Sequence, residues 1–134
     1  MSAADRFFDT NVLLYLLSGD HTKADRAEDV IAEGGLISVQ VLNEFAAVAT
    51  RKLRMPVAEI GEVLTTIRTW CPVVPISEET HDKGMKLAER YGLSVYDAMI
   101  VASALLAGCR ILLSEDLQNG QVIERNLEIR NPFR

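Results

Sequence analysis

Four carboxylates stand where the hydrophobic pattern of the chain calls for something apolar or neutral: Asp9, Glu44, Asp97 and Asp116. Asp9 sits between the apolar run Arg6 to Phe8 and, beyond Thr10 and Asn11, a second run that ends at Leu17. An ionised carboxylate between two buried segments needs partners, because burying an unpaired charge costs several kcal/mol or more. Glu44 has Val41 and Val48 on its helical face, Asp97 has Leu93, Ile100 and Val101, and Asp116 follows Ile111 to Leu113 with Ser114 beside it as a hydrogen-bond donor. Each acid also has a plain reading by itself: Asp9 as a helix cap, Asp97 as partner of Ser94 in a variant capping box, Glu44 as partner of Arg51, and Asp116 as a turn residue before Asn119 and Gly120. Gathered at one place they would repel, by about 4 kcal/mol for a pair about 4 Å apart at an effective dielectric of about 20. That is comparable with a whole folding margin of about 5 to 15 kcal/mol. A cluster therefore implies a cation. Oxygen ligands select Mg²⁺ or Mn²⁺, and the pairing suits hydrolysis of a phosphodiester by an activated water.

The elements that would position these acids follow from periodicity and caps. Arg6 to Phe8 reads as the end of a buried strand, with a helix beginning near Val12. An amphipathic helix carries Ala24, Ala27, Val30 and Ile31 and ends at Gly34 and Gly35. Leu36 to Ser38 is a short strand, and Val39 to Lys52 a helix with Val41, Leu42, Phe45, Val48 and Ala49 inward. Pro56 opens a helix whose stripe is Val57, Ile60, Val63, Leu64 and Ile67; Val73, Val74 and Ile76, interrupted by Pro75, read as an edge strand. Ser77 caps a helix to Tyr91, Ser94 begins an apolar helix from Val95 to Ala107, Ile111 to Leu113 has the character of a central parallel strand, and Leu127 to Ile129 closes the chain. Strands alternating with helices predict a single three-layer α/β/α domain over residues 1–134 with a mostly parallel sheet. Ligands of such sheets bind beyond the carboxyl ends of the strands, which is where Asp9 and Asp116 fall.

Composition narrows the function classes. With 49% hydrophobic and 25% charged residues in 134, the chain is an ordinary globular domain without repeats or low-complexity tracts. Its net charge of −5 and pI near 5.0 argue against a protein that holds nucleic acid by bulk positive potential, although bound metal can supply positive charge locally. The longest apolar stretch, Ala98 to Cys109, is too short to span a bilayer, and the first residues lack the ordered regions of a secretory signal, so a cytoplasmic protein without membrane contact is expected. Cys71 and Cys109 are expected as buried free thiols, and His21 and His81 as surface residues.

The stretches FFDTNVLLYLL, VLNEF, YDAMIVASAL and LLSEDLQNG, in that order and spacing from Arg6 to about Gly120, resemble the four motif blocks of PIN-domain ribonucleases, and within them the VapC-like toxins of toxin–antitoxin pairs. The resemblance implies a sheet of about five parallel strands and Mg²⁺-dependent endonucleolytic cleavage of RNA. It also implies a homodimer and inhibition by a cognate antitoxin. Carried over, it makes Asp9, Glu44, Asp97 and Asp116 the metal-binding acids, with Asn11 and Ser114 orienting them or the bound water; Glu115 is an alternative to Asp116 in the last block. Arg51, Lys52 and Arg54 follow the helix that carries Glu44 and either line an RNA groove or complement that helix's negative end. A receiver-type Mg²⁺-binding signalling domain would have paired acids after its first strand and a lysine after its last, and this chain has neither. A binding module that keeps the acids without cleaving is separated only by an activity assay.

Overall fold

Three residues of strand β1 (Arg6–Phe8) hold the centre of the architecture in the computed structural model, which describes all of residues 1–134. Successive side chains of a strand point to opposite faces, so Phe7 and Phe8, both 0% exposed, require cover on both sides of the sheet. The same holds for β4 (Ile111–Leu113), where all three residues are buried. β1 pairs in parallel with β4, β4 in parallel with β6 (Leu127–Arg130), and β5 (Val122–Ile123) adds antiparallel to β6. A second, two-stranded parallel sheet joins β2 (Ile37–Ser38) to β3 (Val73–Val74). Leu36 bridges the two: its N–H donates to the Arg6 carbonyl at 2.8 Å and its carbonyl accepts from the Phe8 N–H at 3.0 Å. Through that bridge the order is β3-β2-β1-β4-β6-β5, with the expected five strands parallel and a sixth reversed.

Helices connect and flank the strands. α1 (Thr10–Leu14) runs into a 3₁₀ turn at Tyr15–Leu17, α2 (His21–Ala32) starts at the Asp20 cap, and α3 (Val39–Arg51) starts at Ser38, whose hydroxyl accepts from the Val41 N–H. α4 (Val57–Trp70), α5 (Glu78–Tyr91) and α6 (Val95–Leu106) complete the set, with α5 stopped by Gly92 in the left-handed conformation. α6 buries Ala98 through Ala104 without interruption, as a helix packed on several sides must. Fully buried Leu13, Ile37, Phe45, Ile67, Leu87, Ile100, Ile123 and Ile129 draw every layer into one core.

Two expectations need correcting. Val57 does not join the inward stripe of α4 but is 75% exposed in the first turn after the Pro56 cap, whereas Ile60 and Ile67 farther along are buried. β5 was not expected at all. Its hairpin turn, Ile123–Asn126, carries positive φ at Glu124 (50°) and Arg125 (63°), the type I′ geometry that ordinarily signals itself by Asn-Gly. Here tertiary contacts hold it instead: the Tyr91 hydroxyl accepts from the Glu124 N–H at 3.0 Å, and Lys83 pairs with the Glu124 carboxylate at 2.5 Å.

Gly35 lies against the strand that leads to Asp9: a Cβ there would meet the Phe8 ring at 2.6 Å, whereas one at Gly84 would meet the flexible end of Met99, Sδ at 2.6 Å. Gly35→Ala is expected to lower the unfolding free energy by about 1–3 kcal/mol, since a buried ring cannot swing aside, and Gly84→Ala by less. Urea denaturation of both variants checks this; equal losses would contradict the rigid Phe8 contact.

Candidate functional site

Parallel pairing of β1 with β4 sets Phe8 opposite Leu113, and the Asp9 N–H continues the ladder to the Leu113 carbonyl at 2.9 Å. Asp9 and Ser114 therefore leave the sheet side by side. From β1 the chain proceeds to β2 and β3 on one side before crossing to β4 on the other, so this is the point at which the strand order reverses.

Asp9 is 4% exposed and its two oxygens are separately held. Oδ1 accepts from the Thr10 N–H at 2.7 Å, which makes Asp9 the cap of α1. Oδ2 accepts from the Ser114 hydroxyl at 2.7 Å and from Asn11 Nδ2 at 3.0 Å. The same Nδ2 donates to Asp116 Oδ2 at 3.2 Å, while Asn11 Oδ1 accepts from the Glu115 N–H at 3.0 Å, so one side chain ties the ends of β1 and β4 together. Thr10 donates its hydroxyl to Glu44 Oε2 at 3.1 Å and brings α3 into the group. Asp97, half-buried in the first turn of α6, receives no reciprocal bond in its cap: Ser94 Oγ accepts from the Asp97 N–H at 3.2 Å, but the carboxylate does not return to Ser94.

Three of these acids perturb one another electrostatically. Burial pushes the Asp9 carboxyl up to about 6, against the stabilising bonds from Ser114 and Thr10 and with help from the negative charges of Asp97 and Glu44. Burial also raises Glu44, opposed by the Thr10 bond and assisted by Asp97. No lysine or arginine compensates any of the four acids: the ion pairs are Arg6–Glu33, Lys23–Glu115, Lys83–Glu124 and Arg130–Glu128. Arg51 does not pair with Glu44.

An all-oxygen donor set of carboxylates, with hydroxyl and amide groups behind them, has the chemistry that Mg²⁺ or Mn²⁺ requires. As the side chains stand, no group of three or more His, Cys, Asp or Glu is drawn together tightly enough to hold an ion. An ion that keeps several waters does not demand that its carboxylates touch. Asp9, Glu44, Asp97 and Asp116 thus fit a divalent cation by chemistry and by uncompensated charge.

Glu115, the alternative in the last block, turns elsewhere. Its carboxylate accepts from the Tyr15 hydroxyl and pairs with Lys23 Nζ at 3.0 Å, contacts that hold it below the usual carboxylate range. Arg51, Lys52 and Arg54 are exposed, make no ion pair, and begin about 10 Å along α3 from Glu44. They are not brought against the acids. His21 and His81 are exposed, and Cys71 and Cys109 are buried free thiols whose burial pushes them up to about 11. A concavity of about 740 Å³ between α2 and α4 is lined mostly by apolar side chains such as Leu16, Ile31, Ile67 and Trp70 and includes none of the four acids. Three participating residues had not been assigned from sequence. Thr10 reads from sequence as a helix cap or as a holder of the metal's water, Tyr15 stands one helical turn from Asn11 and could have been found by that spacing, and Lys23 approaches across a loop that carries no local signal.

A family model described as PIN domain matches residues 6–122. Among curated proteins no sequence matches. The fold is similar to that of a toxin–antitoxin complex from Klebsiella pneumoniae, at 22% identity over 95% of this chain and 97% of the other, with a TM-score of 0.72. It is also similar to VapBC2 from Rickettsia felis bound to a promoter DNA fragment, at 18% identity over 94% and 97% with a TM-score of 0.67. VapC20 from Mycobacterium tuberculosis, described as a sarcin-ricin loop cleaving toxin, aligns at 18% identity over 83% and 91% with a TM-score of 0.68.

The raised Asp9 carboxyl makes a stability prediction. Between its unfolded value of 3.8 and about 6 the folded state binds the extra proton, so stability falls as pH rises through that window, and above it the whole cost is present. Asp9→Asn removes that cost but sets an amide donor against one of the present donors. In EDTA the variant is expected to be about 1–2 kcal/mol more stable than the wild type at pH 8, with the gain gone near pH 4. Urea unfolding at the two pH values checks it; a variant less stable at pH 8 would show that Asp9 is not a strained charge.

Proposed function

This chain belongs to the PIN-domain family, and from that premise we propose that it is a metal-dependent endoribonuclease and the toxin of a toxin–antitoxin pair. Asp9, Glu44, Asp97 and Asp116 are the metal-binding acids of this reading, Mg²⁺ or Mn²⁺ the cofactor, and RNA the substrate. The observation that carries it is Asp9 itself: a buried carboxylate held by three hydrogen bonds, repelled by Glu44 and Asp97, and without a basic partner. The likeness to a sarcin-ricin loop cleaving toxin and to toxin–antitoxin complexes supports the substrate class and a protein antitoxin as partner. A homodimer in the cytoplasm accompanies this reading, and no helix is long and apolar enough to cross a membrane.

When bound, a divalent cation supplies an acidified water and positive charge for the phosphate and the leaving oxygen. The chain's own residues do the orienting. Ser114 and Asn11 fix Asp9 Oδ2 and the Thr10 N–H fixes Oδ1, so the carboxylate that would hold the ion is kept from rotating. The Thr10 hydroxyl aims Glu44, and Asn11 holds Asp116 Oδ2 at the exposed rim, where Asp116 positions the attacking water and accepts its proton. Asp97 contributes a further carboxylate from the first turn of α6. Arg51, Lys52 and Arg54 take phosphates flanking the cleaved bond.

Asp97→Asn is expected to reduce cleavage of RNA by at least about 100-fold with the fold retained, and excess EDTA to abolish cleavage by the wild type until Mg²⁺ is restored. End mapping of treated RNA and circular dichroism read both; cleavage that persists in EDTA excludes this function. Changing Arg51, Lys52 and Arg54 to Glu should weaken RNA binding and flatten its dependence on log salt by about 0.7 per lost phosphate contact. An unchanged slope removes the three from the groove.

A further inference from the structure

Two consecutive acids follow β4, and only one of them joins Asp9. Asn11 pins the backbone of this turn through the Glu115 N–H and takes Asp116 Oδ2 on its amide nitrogen. The Glu115 side chain is pinned separately, by the Tyr15 hydroxyl and by Lys23 Nζ, which also lies 3.1 Å from the Tyr15 oxygen. Asn11 and Tyr15 stand one helical turn apart, so one face of a single short helix grips the backbone and the side chain of the same residue.

We infer that Lys23 and Tyr15 are positioning residues, which hold the Glu115 carboxylate toward α2 and thereby present Asp116, rather than Glu115, to the acid site. The inference rests on the nuclease reading above. The pair is itself buttressed. The Phe133 ring packs on Tyr15 with centroids 4.5 Å apart, the Lys23 ammonium lies over both rings at 4.7 and 5.8 Å, and Arg26 Nε donates to the Pro132 carbonyl at 2.7 Å. Lys23 and Glu115 are 37% and 26% exposed, where an ion pair contributes little to stability, so an arrangement this constrained has its use in geometry. Without Lys23 the Glu115 carboxylate keeps only the Tyr15 hydroxyl, and one residue from Asp116 it can turn to compete for the same cation.

Steady-state cleavage of short fluorogenic RNA oligonucleotides and Mn²⁺ binding followed by electron paramagnetic resonance test this in the full chain. Lys23→Met is expected to lower kcat and Mn²⁺ affinity each by about tenfold with KM unchanged within about twofold. Lys23→Arg should recover both, and so should adding Glu115→Gln to Lys23→Met, because the neutral amide no longer competes. A rise in KM with unchanged kcat, a shallower salt dependence and no rescue by Glu115→Gln would make Lys23 an RNA contact and overturn the inference, as would no effect of Lys23→Met. If the wild type binds Mn²⁺ but cleaves no RNA, the nuclease reading fails, and the Mn²⁺ series still decides the positioning role. Wild-type protein that binds no Mn²⁺ overturns both.

Discussion

One hydrogen bond, from the Ser114 hydroxyl to Asp9 Oδ2 at 2.7 Å, spans the seam between β1 and β4 and joins residues 105 apart in the chain. It exists because the parallel register sets Phe8 against Leu113, so that the next residue of each strand emerges at the same height. Had the pairing slipped by one residue, Asp9 would face the opposite side of the sheet and lose Ser114, Asn11 and Asp116 together. Register is in turn fixed by burial: Phe7, Phe8 and Leu112 are 0% exposed and have no alternative face to occupy. The acid site is thus a consequence of core packing one residue away.

Charge acts in the opposite direction. The core delivers Asp9 into a place where its ionised form is disfavoured, and Glu44 and Asp97 add repulsion from α3 and α6. Hydrogen bonds from Ser114, Asn11 and Thr10 recover part of that cost but bring no positive charge. Glu115 shows the contrast, since it lies beside the same turn and has a lysine. Two kinds of carboxylate therefore sit side by side, one neutralised by the protein's own cation and one group with no cation of the protein's own.

Much of the fold was legible because its signals are local. Ser77 and Ser94 accept the amide bonds expected of caps, Gly92 takes the left-handed conformation, and the apolar stripes of α3 and α6 are buried as their periodicity indicates. What was not legible depended on contacts between distant segments. Glu124 and Arg125 have no preference for positive φ, and their turn forms because Tyr91 and Lys83 arrive from α5. Val57 satisfies the stripe of α4 but has no neighbour over its first turn.

By itself the sequence singled out the four acids with Asn11 and Ser114 as candidates, and indicated the helices and strands that carry or precede each of them. Both follow from patterns that repeat within a few residues. Only the tertiary structure decided which of Glu115 and Asp116 faces Asp9, gave Glu44 to Thr10 rather than Arg51, and left the basic residues after α3 apart from the acids. Those outcomes turn on side chains that meet across about a hundred residues of chain, as Lys23 meets Glu115, and a pairing of that range leaves no period in the sequence to be read.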